Sequence, residues 1–127
     1  MREIKTHQNS EFTRDHIRVY AVDEPGAGGA CHEYQVDAVP TPGTQNFIAL
    51  TTAINFQHGP LKETPVNGIT DEALLAVVED RLSAFCEGEF PSAETKEARD
   101  HIRLALEQLA KRQRDRSERG VAGKSEK

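Results

Sequence analysis

Arg112, Arg116 and Arg119 stand close together near the end of the chain. A spacing of four puts Arg112 and Arg116 on one face of a helix. Each guanidinium presents a planar fork of donors, so a pair of them suits two phosphate groups. The same residues also suit a solvated helix end, where cations favour the negative end of the helix dipole. Phe85 is equally two-sided. It serves as a core residue, or as a flat face for a purine, where stacking is worth about 1–3 kcal/mol per base. Thr95 has a hydroxyl that can sit beside such a face, and it also reads as an ordinary polar residue of a first helical turn.

Catalytic constellations are missing from the pattern. The five histidines, His7, His16, His32, His58 and His101, are scattered, with no HExxH or His-Cys-Cys set to hold a metal. No GxSxG or other nucleophile motif occurs. Glu79 and Asp80 are adjacent acids on what reads as a solvated helix face. The segment Gly26-Ala27-Gly28-Gly29 lacks the GKS or GKT ending of a phosphate loop and reads as a hairpin tip. The residues therefore favour a binding protein over an enzyme, with no cofactor.

The elements that would position these residues are two helices. Thr70 is a suitable N-cap, and Asp71 and Glu72 follow where negative charge suits the helix dipole. Leu74, Leu75, Val78, Leu82 and Phe85 recur at helical spacing as one apolar stripe. Gly88 ends this helix and Pro91 forbids its simple continuation. Ser92 is the second N-cap, and Ala98, Ile102, Ala105, Leu106 and Leu109 form the next stripe. No Gly or Pro interrupts until Gly120, so this helix spans roughly 25 residues, or about 38 Å. A connection this short makes the helices antiparallel.

Ahead of them, Ile17 to Val22, Cys31 to Val39 and Phe47 to Phe56 read as strands by their alternation. Residues 1–15 are polar and read as loose chain or an edge strand. Residues 57–69 read as a loop stiffened by Pro60, Pro65 and Gly68. The expectation is an α+β fold: a small N-terminal antiparallel β-sheet followed by a C-terminal antiparallel two-helix hairpin that covers it. We expect a single domain over 1–127, with the sheet at about 15–60, the hairpin at 70–120 and a tail at 121–127.

Composition narrows the function further. Of 127 residues, 36% are hydrophobic and 29% charged, low in apolar content for a self-sufficient monomer, which points to oligomerisation. There is no run of 18 apolar residues and no apolar segment in MREIKTHQNSEF, so neither a transmembrane helix nor a secretory signal is expected. Cys31 and Cys86 form no CxxC pair and read as reduced thiols. Residues 111–127 hold seven Lys and Arg against three acids, a local +4, which leaves −9 of the net −5 on residues 1–110. An acidic body repels long nucleic acid, while a small anion can still be held at the basic end.

The run Val66 to Leu74, then Asp80-Arg81-Leu82 and Phe85, then Arg112, Arg116 and Glu118-Arg119-Gly120-Val121-Ala122-Gly123 resembles a phage helical hairpin domain. That domain is shared by the anti-Thoeris cyclic-ADP-ribose sponges and the anti-CBASS cyclic-oligonucleotide sponges. The strands ahead of the hairpin are more similar to the anti-Thoeris member. The resemblance implies a protein acting in the cytoplasm of the infected bacterial host. It would bind, without cleaving, the glycocyclic ADP-ribose signal of a TIR-domain immune protein. Its pocket would lie at the edge of a homodimer, within assemblies up to hexamers. The implied ligand contacts are Phe85 to the adenine, Thr95 as a polar neighbour where relatives carry Asn, and Arg112 and Arg116 to the phosphates. Arg18 and Gln57 are the candidates from the sheet portion. A second site for cyclic trinucleotides is implied at Arg119, Gly120 and Gly123; Ala122 stands there in place of the family's usual acid. The alternative is a non-catalytic phage adaptor hairpin that binds protein or nucleic acid.

Overall fold

The computed structural model describes residues 1–40 and 50–120. Two compact units divide the chain. One comprises Met1–His58 with Val66–Gly68, the other Gly59–Pro65 with Ile69–Lys127.

The first unit is an antiparallel sheet with strand order β1 (Arg2–Ile4), β2 (Ile17–Ala21), β3 (Glu33–Ala38) and β4 (Leu50–Asn55). Beside the three expected strands, the edge-strand reading of residues 1–15 is met by Arg2–Ile4, which pairs with the far side of β2. A short helix, α1 (Glu11–His16), occupies part of the stretch expected to be loose. Ser10 starts it through a capping box: its hydroxyl accepts from the Thr13 amide, and the Thr13 hydroxyl accepts from the Ser10 amide. Six mostly polar residues carry no periodicity, which is why composition alone did not reveal this helix. The expected start of the last strand, Phe47 to Ala49, lies outside the described residues.

Alternation in the strands produces one apolar face, as the pattern implied. Ile17 pairs with Ala38, Val19 with Val36 and Ala21 with Tyr34; Tyr34 and Val36 then pair with Ile54 and Thr52. Directly paired residues share a face, so these side chains form one layer. Tyr34 meets Phe56 edge to face at 5.6 Å. The opposite face carries Glu3, Arg18, Gln35 and Asp37. The β2–β3 connection is held by Asp23, whose carboxylate accepts from the amides of His32 and Glu33 at 3.0–3.1 Å. Those donors hold its carboxyl below the ordinary aspartate value.

After β4 the chain turns back on itself. His58 donates its amide to Asn67 Oδ1 at 2.8 Å, and Asn67 Nδ2 donates to the His58 carbonyl at 2.9 Å. Gly68 sits against the strand end so closely that a Cβ there would overlap the backbone of Asn55, Phe56 and Gln57. Backbone atoms cannot swing aside as a side-chain tip can. Glycine is therefore required here by close approach and not by its φ angle.

The second unit is the expected hairpin: α2 (Asp71–Glu87) and α3 (Ala93–Glu118). The caps read from the sequence are in place. The Thr70 hydroxyl accepts from the Ala73 amide at 3.1 Å, Gly88 closes α2, and the Ser92 hydroxyl accepts from the Thr95 amide at 3.0 Å. Neither helix contains a buried residue. Among the described residues of the whole chain, only Ala21 and Cys31 are buried. Both cysteines are free thiols. No helix among the described residues is long and apolar enough to cross a membrane.

Substitution Gly68→Ala should destabilise the fold by about 1–3 kcal/mol, the scale of an overpacked site that cannot relax. Thermal or urea unfolding of the variant checks this, and an unchanged midpoint would contradict the close approach.

Candidate functional site

The hairpin register decides where each candidate residue sits. Arg103 Nε on α3 donates to Glu79 Oε1 on α2 at 2.8 Å, and its Nη2 lies 3.4 Å from Ser83 Oγ. The Ser83 hydroxyl donates to the same Glu79 oxygen at 3.0 Å. This three-membered network sets Glu79 opposite Arg103 and fixes how far one helix slides along the other. The acid expected on a solvated face is instead an inter-helix anchor. Its two donors, Arg103 first and Ser83 second, hold the Glu79 carboxyl below the ordinary glutamate value.

From that anchor the helical period assigns the faces. Leu75, Leu82 and Cys86 share the face of Glu79 and Ser83 and are half-buried. Leu74, Val78, Arg81 and Phe85 form a second stripe, turned about 100° around α2. The single stripe expected for α2 is thus two faces. On the second, Leu74 is half-buried, while Val78 is 39% and Phe85 46% exposed. On α3, Thr95, Ile102, Leu109 and Arg116 recur every seven residues and are all half-buried, so they share a face. Arg112 lies beside that face and is exposed.

Phe85 and Thr95 flank the turn end of the hairpin. The Thr95 hydroxyl accepts from Ser92 Oγ at 2.8 Å and keeps its own proton to donate. Arg112 and Arg116 sit at the other end. Phe85 lies six residues from Glu79 toward the turn, and Arg112 lies nine residues from Arg103 the opposite way. At 1.5 Å per residue their axial separation is about 22 Å, and that of Phe85 and Arg116 about 28 Å. Along its axis, one protomer therefore places Phe85 and Thr95 near one end of the hairpin and Arg112 and Arg116 near the other.

Arg119 and Gly120 end α3. The Arg119 amide donates to the Asp115 carbonyl and the Gly120 amide to the Ser117 carbonyl, both at 3.1 Å. Gly120 has a φ of 74°, the left-handed conformation that stops a helix, which accounts for glycine there without a ligand. Gly123 lies outside the described residues. In the sheet unit, Arg18 pairs with Glu3 at 3.4 Å, and Gln57 Oε1 accepts from the Asn67 amide at 2.9 Å. Both side chains thus have structural partners. The rings of His32 and His58 lie 4.5 Å apart, yet no group of three metal-ligating side chains gathers among the described residues.

One residue went unnoticed in the sequence. The Arg81 guanidinium lies over the Phe85 ring, 5.0 Å from its centroid. Its signal was available as the four-residue spacing of an arginine and an aromatic on one helix.

The hairpin, its caps and its open second face define a class of helical hairpin protein, and comparison with known proteins agrees. The Acb2/Tad1 hairpin domain matches residues 49–114. The chain belongs to that family. It is also 39% identical over 83 residues to Thoeris anti-defense 1 of Bacillus phage SBSphiJ7, an alignment covering 65% of this chain and 58% of that protein. The chain thus spans a little over half the length of this curated relative. Phe85, Thr95 and Arg112 fall inside the family match; Arg116, Arg119 and Gly120 lie beyond it.

Because its folded value is lowered, Glu79 contributes stability above its unfolded value of 4.5 and loses it as pH falls through the folded value. Wild-type protein should therefore lose stability on acidification below pH 4.5 more steeply than Glu79→Gln. Parallel pH series of thermal melts test this; identical slopes would contradict the network.

Proposed function

We propose that this chain is a phage anti-Thoeris sponge that binds a TIR-derived glycocyclic ADP-ribose signal and does not cleave it. The pocket takes its aromatic half from one protomer and its arginine half from another. The observation that carries this reading is the separation of about 22 Å between Phe85 and Arg112 along the hairpin, set by the helical rise. Within one cyclic ADP-ribose ring the base and the phosphates are far closer together than that. A second hairpin running the opposite way places its Arg112 and Arg116 beside the first chain's Phe85 and Thr95. By symmetry it creates two such pockets. The exposed Val78 and Phe85 are the apolar surface such an assembly would cover.

Each half then has a chemical task. The Phe85 ring stacks on adenine. The Thr95 hydroxyl donates to a base or ribose acceptor. Arg112 and Arg116 take the two phosphates as charged forks. Capture needs no nucleophile, general base or metal, only a site that is rigid before the ligand arrives. A second site for cyclic trinucleotides belongs to the same proposal. Support for it is the Arg119 guanidinium at the end of α3.

Protein saturated with the signal and then heat-denatured should release it chemically unchanged, as judged by mass spectrometry. A cleaved or isomerised product would replace the sponge with an enzyme. Binding that grows with polynucleotide length and falls steeply with salt would replace it with a nucleic-acid adaptor.

Arg112→Ala or Arg116→Ala should each weaken binding by about 1.5–3 kcal/mol, the scale of a hydrogen bond to a charged group. Co-expressed Phe85→Ala and Arg112→Ala chains should recover sites of full affinity, because a mixed dimer has one pocket free of both changes. Calorimetry of the purified mixed dimer reads this directly, and the absence of any recovered site would refute the shared pocket.

A further inference from the structure

We propose that Arg81 is a positioning residue for the base: it occupies one face of the Phe85 ring and leaves only the other for stacking. This inference rests on the ligand reading above.

Arg81 stands apart from the other arginines with recorded partners. Arg14, Arg18, Arg99 and Arg103 each pair with a carboxylate. Among the described residues, no acidic side chain lies within ion-pair distance of Arg81; its recorded contact is the ring, 5.0 Å from centroid to Cζ. A cation placed there is attracted by the negative quadrupole of the ring face.

Three consequences follow. Phe85 sits on an open stripe of α2, and the guanidinium restrains a ring that would otherwise rotate freely. A base cannot enter the face that the guanidinium covers, so stacking has one available side and one approach. Finally, the guanidinium draws electron density from the ring, and an electron-rich purine stacks better on a ring so depleted. Arg81 acts through Phe85 in all three.

The test is a double-mutant cycle on the full chain with the glycocyclic ADP-ribose signal as probe. Arg81→Ala should weaken binding about 2- to 5-fold, the factor equivalent to an exposed cation–π contact. Arg81→Lys should recover part of that loss, because the charge remains while the planar cover is gone. In a Phe85→Leu background, Arg81→Ala should have no further effect. Equal losses in both backgrounds would overturn the proposal and make Arg81 a direct contact to ligand charge. Wild-type affinity of Arg81→Ala, with Phe85→Leu impaired, would also overturn it while leaving the pocket reading intact. Wild-type affinity of Phe85→Leu would remove the stacking half of the pocket, and this inference with it. A helix-supporting role alone would lower the melting temperature of Arg81→Ala without moving affinity, and counts against the proposal.

Discussion

The contact of Arg103 with Glu79 and Ser83 is the constraint on which the rest of the hairpin depends. An antiparallel helix pair can slide by whole turns at little cost if only apolar residues meet, because Leu and Ile fit many similar grooves. A guanidinium that needs a carboxylate at 2.8 Å has one position. It is also partly shielded by the helices that carry it, with the Glu79 side chain 22% exposed. Exposed ion pairs contribute little to stability, so its importance lies in register more than in energy. That register separates the aromatic end of the hairpin from the basic end.

The second constraint is unfinished burial. No residue of α2 or α3 is buried in the isolated chain. A two-helix hairpin turns one apolar stripe of each helix toward its mate, and α2 has a second stripe at right angles to the first. Apolar residues on a second face cost solubility unless something covers them. Under the proposed function, the same face that a second chain would cover also carries the ring suited to a base, so the tests of assembly and of ligand capture bear on one surface.

Much of the architecture was legible in the residues. Thr70, Gly88 and Ser92 marked helix ends because capping depends on one hydroxyl or one missing side chain, which is local information. Strand alternation marked the apolar sheet face for the same reason. The short first helix was missed, since six mostly polar residues are too few to show a period, while the edge strand was one of two readings open for residues 1–15. Resemblance pointed to Phe85, Thr95, Arg112 and Arg116, but the distance between the two pairs along the hairpin needed the register of α2 against α3.

By itself the sequence determined the two long helices with their caps and the strand alternation, all of which follow from neighbours within a few positions. Tertiary structure alone decided which residues of α2 meet which of α3. It turned Glu79 from a solvated acid into an anchor, split one apolar stripe into two faces, and laid Arg81 over Phe85. The physical reason is that a helical period tells which residues share a face, whereas the direction that face points is chosen by contacts between residues far apart in the chain.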